Sequence, residues 1–305
     1  MANYADRDPN VHKFTPSELN ALAKDFFDPS ERLAKIMIYG EPGSTKTTEA
    51  FRVGEYRLGL IADPNGHESL YNHPELATDL ATGRIKLMNY KGFSQLEAIA
   101  QAFMEGHKDF KHFDTIVIDT ASNMVYLDLD LITKVQIEKK SKLEESKRFD
   151  FENHMRGVYN QDAFRARVAF LKLFLAPVNV IATAHVRYYR AKDNPDTIVK
   201  VAPRFPPEVL AAISGFTTMV GYMKADAKIN EQKAVRYARY LQVHPTHNVE
   251  AKTRIGGLPL VIPNPDLRQI IADWKAKGGV LVEPELNDPA EGVTSDELES
   301  FGMEQ

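Results

Sequence analysis

A glycine-containing segment that ends in a lysine and a threonine is the first feature of the sequence that could do chemistry. It reads Gly40-Glu41-Pro42-Gly43-Ser44-Thr45-Lys46-Thr47, and Thr48 follows it. It fits the phosphate-loop pattern G-x-x-x-x-G-K-[ST] except that Thr45 stands at the second required glycine. In such a loop, backbone N–H groups surround the phosphates, the lysine reaches the β- and γ-phosphates, and the threonine hydroxyl binds Mg²⁺. The segment therefore predicts an ATP site, with a Cβ at Thr45 where the loop prefers none. The alternative is a glycine turn before a helix, with one exposed lysine.

Two further polar residues stand where apolar runs end. Asp119 follows the β-branched run at 116–118, and His185 ends the run NVIATAH. A P-loop enzyme needs a carboxylate at the end of a neighbouring strand to hold the magnesium shell, so we predict that Thr47 and Asp119 bind Mg²⁺. A histidine at the carboxyl end of a parallel strand faces the ligand crevice, and we predict that His185 senses the γ-phosphate. The alternatives are an ordinary turn aspartate and a histidine satisfied by a nearby carbonyl.

Hydrolysis also requires an acid that orients the attacking water. The segment after the second apolar run contains two acids, Asp63 and Glu68. We predict Glu68 for this role and keep Asp63 as the alternative, since either could be an exposed loop acid.

The elements that must position these side chains alternate along the chain. Apolar runs predict strands at 35–40, 58–62, 83–90, 113–119 and 179–185, and amphipathic patterns predict helices at 46–58 and 94–105. Ser94 and Glu97 have the spacing of a capping box, which would start the second of these helices. Strands that alternate with helices predict an α/β fold with a mostly parallel central sheet flanked by helices. Short β-like runs at 197–262 predict a β-rich carboxyl-terminal segment.

Composition and charge place the chain among ordinary folded proteins. It has 305 residues, 43% of them hydrophobic and 26% charged, and no cysteine. This excludes disulfides and thiolate metal sites. No apolar run approaches the roughly 18 residues of a membrane helix, and the first ten residues do not resemble a signal peptide, so we expect a cytoplasmic protein and no membrane partner.

The charge is distributed unevenly between the body of the chain and its end. Residues 278–305 contain eight acids and no lysine or arginine, so the remaining residues carry a net charge of +4 against −4 for the whole. We therefore expect an amino-terminal extension at 1–30, an ATPase domain at 31–277 and an acidic, flexible tail at 278–305. Such a tail could recruit a single-strand-binding or replication protein, or it could only aid solubility.

Cations and aromatic rings alternate after His185. Single-stranded DNA binding needs cations for phosphates and flat rings for bases. The residues that fit this need are Arg187, Tyr188, Tyr189, Arg190, Lys192, Lys200 and Arg204. The alternative is a solvent-exposed hairpin. A second basic run at 139–148 also contains glutamates and is more typical of a solvated helix face.

The order of these motifs resembles a known family. The phosphate loop, the strand ending at Asp119, the sequence TAH at 183–185 and the sequence AKTRIGG at 251–257 are similar to RecA-like ATPases. The closest likeness is to AAA-type phage nucleotide-binding proteins of the Sak-four type, which are proposed single-strand annealing proteins or minimal recombinases. The resemblance spans about residues 31–265 and implies a RecA-like P-loop NTPase core.

The resemblance also implies roles for two basic residues. The K-x-R-x-G element resembles that of DnaB-type helicases and RadA-type proteins, in which both cations reach a neighbouring subunit's γ-phosphate. Carried over, Lys252 and Arg254 would act in trans, in a homo-oligomeric ring or filament. The alternative is a basic strand edge that makes surface pairs.

Together these features predict an ATP-dependent, single-stranded-DNA-binding recombinase or annealing protein of phage type, located in the host cytoplasm if phage-encoded. One alternative is a DNA helicase or helicase loader. The other is a nucleotide-gated binding module in which Thr45 suppresses hydrolysis.

Overall fold

The computed structural model describes residues 32–63, 65–128, 151–229 and 235–276. The expected amino-terminal extension, the acidic tail and the basic run at 139–148 lie outside these ranges. The strands are β1 (Lys35–Gly40), β2 (Arg57–Ile61), β3 (Ile85–Asn89), β4 (Thr115–Asp119), β5 (Asn179–Arg190), β6 (Ile198–Pro203), β7 (Met219–Ile229), β8 (Val235–Gln242), β9 (Lys252–Thr253) and β10 (Val261–Pro263). The helices with defined bounds are α1 (Lys46–Arg52), α2 (Glu68–Tyr71), α3 (Pro74–Ala81), α4 (Phe93–Met104), α5 (Phe151–Leu175), α6 (Pro207–Phe216) and α7 (Leu267–Ala276). Residues 121–128 are also helical.

The strands form a ten-stranded, mostly parallel sheet in the order β10-β8-β7-β1-β5-β4-β2-β3. Strands β7, β1, β5, β4, β2 and β3 are parallel, whereas β8 pairs antiparallel with β7, and β10 pairs antiparallel with β8. Strand β6 pairs with the end of β5, and β9 pairs with the start of β7. This architecture confirms the α/β fold with a mostly parallel sheet that the alternating pattern predicts.

Helices cover both faces of the sheet, because the parallel strands alternate their apolar side chains between two cores. In β1, Met37 and Tyr39 face one core, which Leu96 of α4 and Phe170 of α5 complete. Ile36 and Ile38 face the other core, which is closed by Phe51 of α1 and Ile271 of α7. The two cores clamp the phosphate-loop strand from both sides and fix the position of the loop that follows it.

Parallel pairing brings the predicted site residues to one edge of the sheet. Gly40 lies opposite His185 on β5 and opposite Met223 on β7, and Asp119 lies opposite Ile61 on β2. The carboxyl ends of these strands therefore share one crevice, which is where open α/β sheets bind ligands.

Two local predictions are wrong. The first helix ends at Arg52 instead of continuing to residue 58, because Val53 is extended and Gly54 has φ +86°. A Cβ on Gly54 would lie 2.1 Å from Oδ1 of Asp114, so the chain turns tightly here against the start of β4.

The capping box is the second wrong prediction. Helix α4 starts at Phe93 after Gly92, whose position carries no side-chain cap. The buried carboxylate of Asp128, distant in sequence, lies beside the start of this helix, where the Phe93 backbone N–H lowers its pKa against the rise that burial causes. In the described part of the chain, no helix is both long enough and apolar enough to span a membrane.

Candidate nucleotide-binding site

The loop between β1 and α1 adopts a backbone that only small residues accept easily. Gly43 has φ +81°, and Thr45 has φ 65° and ψ 17°, both in the left-handed region. For a β-branched residue this conformation is an outlier that costs on the order of 1–2 kcal/mol. A Cβ on Gly40 would lie 2.0 Å from the Met223 carbonyl oxygen, so glycine is required there. The left-handed backbone thus explains why the phosphate-loop motif has glycine at the position of Thr45. The loop keeps this conformation here although the residue is threonine.

Lys46 is buried and hydrogen-bonded to its own loop. Its Nζ donates to the Glu41 carbonyl oxygen at 2.6 Å and to the Ser44 hydroxyl at 3.2 Å. Burial lowers the pKa of Lys46 to about 8, while the charges of Asp119 and Glu41 act in the opposite direction. A buried ammonium held by neutral acceptors is a strong binding site for a polyphosphate, whose oxygens accept its hydrogen bonds and whose negative charge would raise the lysine pKa toward its usual value.

Oxygen ligands suited to Mg²⁺ meet beside the lysine. The Thr47 hydroxyl donates to Asp119 Oδ2 at 2.9 Å, and the Thr183 hydroxyl donates to the other carboxylate oxygen. Burial raises the pKa of Asp119, and the hydrogen bonds from Thr183 and Thr47 and the charge of Lys46 counter the rise. Hydroxyl and carboxylate oxygens are the ligand types that Mg²⁺ prefers, so Thr47 and Asp119 fit the ion expected with a nucleotide.

A cavity of about 300 Å³ opens in front of these groups. Besides the loop and Asp119, it is lined by Asp63, Gly66, Ser69, Asn72, His73, Thr120, Asn123 and His185. Sequence reasoning missed Ser69, Asn72, His73 and Asn123, because nothing in a polar loop marks which residues turn toward a cavity. Thr183 was also missed, although a threonine inside the apolar run NVIATAH was a visible signal.

The structure separates the two acids considered for orienting water. Asp63 lines the cavity, and its Oδ1 accepts the Asn65 N–H at 3.1 Å, which fixes the turn. Glu68 is exposed in the first turn of α2 and does not line the cavity. The geometry therefore favours the alternative, Asp63, over Glu68.

His185 lines the same cavity at the end of its buried strand segment. Its backbone N–H donates to the Ser122 hydroxyl at 2.9 Å. Burial lowers the pKa of His185, and the positive charges of Lys46 and Arg204 lower it further, while Asp63 acts in the opposite direction. The ring therefore favours its neutral form, in which one nitrogen donates and the other accepts a hydrogen bond.

Lys252 and Arg254 lie at the other edge of the sheet. Strand β9 pairs with the first residues of β7, and Arg254 donates its backbone N–H to Thr218. The Lys252 ammonium donates to the Ser214 carbonyl oxygen, and the Arg254 guanidinium donates to that of Gly215 at 2.8 Å. Both cations thus cap the carboxyl end of α6 and are far from the phosphate loop of their own chain.

The basic and aromatic residues after His185 form a hairpin beside the phosphate loop. Strand β5 continues to Arg190 and pairs with β6. Tyr188 donates its hydroxyl to the Glu41 carboxylate at 2.6 Å, which joins the hairpin to the phosphate loop. Arg187 stacks on Tyr189 with 4.8 Å between the guanidinium carbon and the ring centre.

Of the remaining hairpin cations, two are bonded to neighbouring groups of the protein and two are exposed. The Arg190 guanidinium donates to the Pro195 carbonyl oxygen, and Lys200 forms an ion pair with Glu250 at 2.8 Å. Lys192 is exposed in the turn after β5, and Arg204 is exposed directly after β6.

Fold and site together define a P-loop nucleotide-binding domain. A family model described as an AAA domain matches residues 32–255. The chain therefore belongs to this family of AAA-type P-loop ATPase domains, for which nucleotide binding with Mg²⁺ is typical. A search among curated proteins gave no match.

Proposed function

We propose that the chain hydrolyses ATP and couples the nucleotide state to single-stranded DNA bound on the hairpin at 186–205. The observation that carries the proposal is the hydrogen bond between Tyr188 of the hairpin and Glu41 of the phosphate loop. One strand, β5, supplies both His185 in the cavity and the base of the hairpin. A change at the phosphates therefore has a short covalent and hydrogen-bonded route to the hairpin.

The reaction assigned to the cavity is attack of water on the γ-phosphorus. The new P–O bond forms as the bond to the β-phosphate oxygen breaks, and the products are ADP and inorganic phosphate. Asp63 orients the water and accepts its proton, and Lys46 stabilises negative charge on the β- and γ-phosphate oxygens. A bound Mg²⁺, held by Thr47 and Asp119, would neutralise part of the phosphate charge.

The DNA role is supported by the chemistry of the hairpin. Tyr189 offers a ring face, while Arg187 and Arg190 are exposed cations on the same hairpin. Stacking on rings together with phosphate contacts is the usual way to bind single strands without sequence preference. With the resemblance to Sak-four type proteins, this favours a recombinase or annealing protein over a helicase or helicase loader.

Assembly into a ring or filament is part of the proposal. In it, a neighbouring subunit presents Lys252 and Arg254 to the γ-phosphate, and the acidic tail recruits a single-strand-binding or replication protein. The two cations must then leave the carbonyl oxygens of Ser214 and Gly215, which are neutral and weaker partners than a phosphate.

A second candidate function is a nucleotide-gated binding module that turns over slowly. The strained backbone at Thr45 favours it, because the left-handed conformation that the phosphate loop needs at this position is costly for a residue with a Cβ. In that case the protein binds ATP, and its partners respond to the bound state alone.

The first test is ATP hydrolysis with and without single-stranded DNA, using Lys46→Ala as the blank. We expect DNA to stimulate hydrolysis by the wild-type protein. Bound ATP without turnover at any DNA concentration would favour the binding module, and no nucleotide binding would refute both functions.

Tyr188→Phe tests the coupling itself, because it removes only the hydroxyl that reaches Glu41. We expect the factor by which ATP changes DNA affinity to fall about 5-fold, as for a typical coupling energy. The matched control is Tyr189→Phe, which leaves the contact with Glu41 intact. Equal coupling in both variants would contradict the proposed route.

A further inference from the structure

Arg204 occupies the position across from His185 in the hairpin. Val186 pairs with Pro203, and the Arg204 N–H donates to the His185 carbonyl oxygen at 2.8 Å, so the register continues by one residue. Side chains at directly opposed positions emerge on the same face, with Cβ atoms about 5 Å apart. Because His185 lines the cavity, Arg204 lies on the same side of the hairpin as the cavity, just outside the residues that line it, and we take this position as the cavity's rim.

The guanidinium of Arg204 rests on an aromatic ring at that rim. Its central carbon lies 4.5 Å from the centre of the Tyr126 ring. Tyr126 follows the cavity residue Asn123 by three positions in the helical segment 121–128, so the two share a helix face one turn, about 5 Å, apart. An arginine side chain can cover that distance by rotation alone.

The backbone of Arg204 is fixed while its side chain is available. The next residue, Phe205, is fully buried and packs edge to face on Phe170 at 6.1 Å. Arg204 itself is exposed and, among the described residues, makes no ion pair with a carboxylate. Its charge nevertheless acts in the cavity, since with Lys46 it contributes to the lowered pKa of His185.

We propose that Arg204 is a phosphate-binding cation that acts within its own chain. When a nucleoside triphosphate fills the cavity, the guanidinium leaves the Tyr126 ring and donates hydrogen bonds to the γ-phosphate oxygens. This deepens the proposed ATPase function, on which it rests, and takes Arg204 out of the predicted DNA surface. A guanidinium in this position stabilises charge on the transferring phosphoryl group, and it distinguishes triphosphate from diphosphate.

The test compares Arg204→Ala with Arg187→Ala in the full-length protein. The control arginine lies on the same hairpin face, also stacks on a ring, and is two residues, about 7 Å, farther from the crevice. Affinities for Mg²⁺ with a non-hydrolysable ATP analogue, for Mg²⁺ with ADP and for single-stranded DNA are measured separately, together with turnover.

We expect Arg204→Ala to weaken the ATP analogue about 10-fold, to change ADP affinity less than about 2-fold, and to lower kcat by about 10²-fold or more. Arg204→Lys should restore part of the affinity. Arg187→Ala should keep both nucleotide affinities and weaken DNA. An unchanged ratio of analogue to ADP affinity in Arg204→Ala, with DNA weakened as in Arg187→Ala, would make Arg204 a DNA contact and overturn the inference.

Tyr126→Leu gives an effect of the opposite sign, which a merely structural arginine would not show. Removing the resting position leaves Arg204 free, so the ATP analogue should bind about 2- to 5-fold more tightly. Unchanged or weaker binding would refute the resting position. If the wild-type protein binds no triphosphate at all, the ATPase function itself fails, and that result is distinct from any of these.

Discussion

The carboxyl ends of the parallel strands form one edge of the sheet (the carboxyl edge), and their amino ends form the opposite edge (the amino edge). Each edge holds a buried cation, and the two cations have very different partners. At the carboxyl edge, Lys46 is held by acceptors of its own loop, the Glu41 carbonyl oxygen and the Ser44 hydroxyl. At the amino edge, Arg57 is 3% exposed and forms an ion pair with the equally buried Asp79, and it also donates to the Phe51 carbonyl oxygen. The first cation keeps neutral partners that a phosphate can replace, whereas the second is already neutralised. The difference indicates which edge stabilises the fold and which edge is arranged for a ligand.

The largest effect that we expect comes from replacing Lys46, and it is a loss of nucleotide affinity. Lys46→Met should weaken ATP about 10³-fold, because the lysine is the buried cation at the phosphates. The same substitution should also raise the free energy of unfolding of the ligand-free protein. Burial lowers the pKa of Lys46 to about 8 from 10.5, so below pH 8 the folded state carries the full cost of a buried charge.

The pH dependence gives this prediction its check. Between pH 8 and 10.5 the unfolded chain binds the proton that the folded chain has lost, so the wild-type protein gains stability relative to the variant. We expect Lys46→Met to be more stable by about 2 kcal/mol at pH 7, with the difference shrinking toward pH 10 in urea unfolding. A difference that is constant with pH would contradict the burial of a charged Lys46.

Arg57→Leu should have the opposite outcome, with a large loss of stability. It leaves Asp79 with only the half-exposed Arg84 as a partner, and breaking a buried pair costs about 3 kcal/mol or more. Urea unfolding measures this loss, and Arg57→Leu combined with Asp79→Leu is the control. The double variant should recover much of the stability, because it removes the uncompensated carboxylate.

The same contrast shows how far the sequence could predict the molecule. Apolar β-branched runs predict the strands, and parallel pairing then brings Lys46, Thr47, Asp119 and His185 together. Local patterns could not place Asp63 and Glu68, because the turn after β2 decides which one faces the cavity. Lys252 depends on an antiparallel pairing between segments more than thirty residues apart, for which the motif itself contains no information.

Arg254→Ala tests whether the amino edge serves any chemistry. The exposed guanidinium of Arg254 caps the carboxyl end of α6, so its removal should change the free energy of unfolding by less than about 1 kcal/mol. If a neighbour uses it in trans, ATP binding stays and turnover falls about 10²-fold. Measuring wild-type and variant turnover against protein concentration separates the two roles. If the assembled variant hydrolyses ATP at the normal rate, Arg254 only caps α6 and takes no part in the reaction.

Thr45→Gly should give the smallest effect and tests the carboxyl edge from within the loop. Thr45 has φ 65°, and glycine adopts this conformation without steric cost, while its greater freedom in the unfolded chain offsets part of the gain. We expect thermal unfolding to show a net stabilisation of about 0.5–1 kcal/mol, and we expect turnover to rise, because the phosphate cradle loses a Cβ.

Gly43→Ala is the matched control: Gly43 also has positive φ, and no atom lies within 4 Å of a Cβ added there, so this variant should be destabilised through backbone strain alone. A Thr45→Gly variant that gains stability without gaining turnover would show that the threonine limits the fold of the loop and leaves the reaction unaffected.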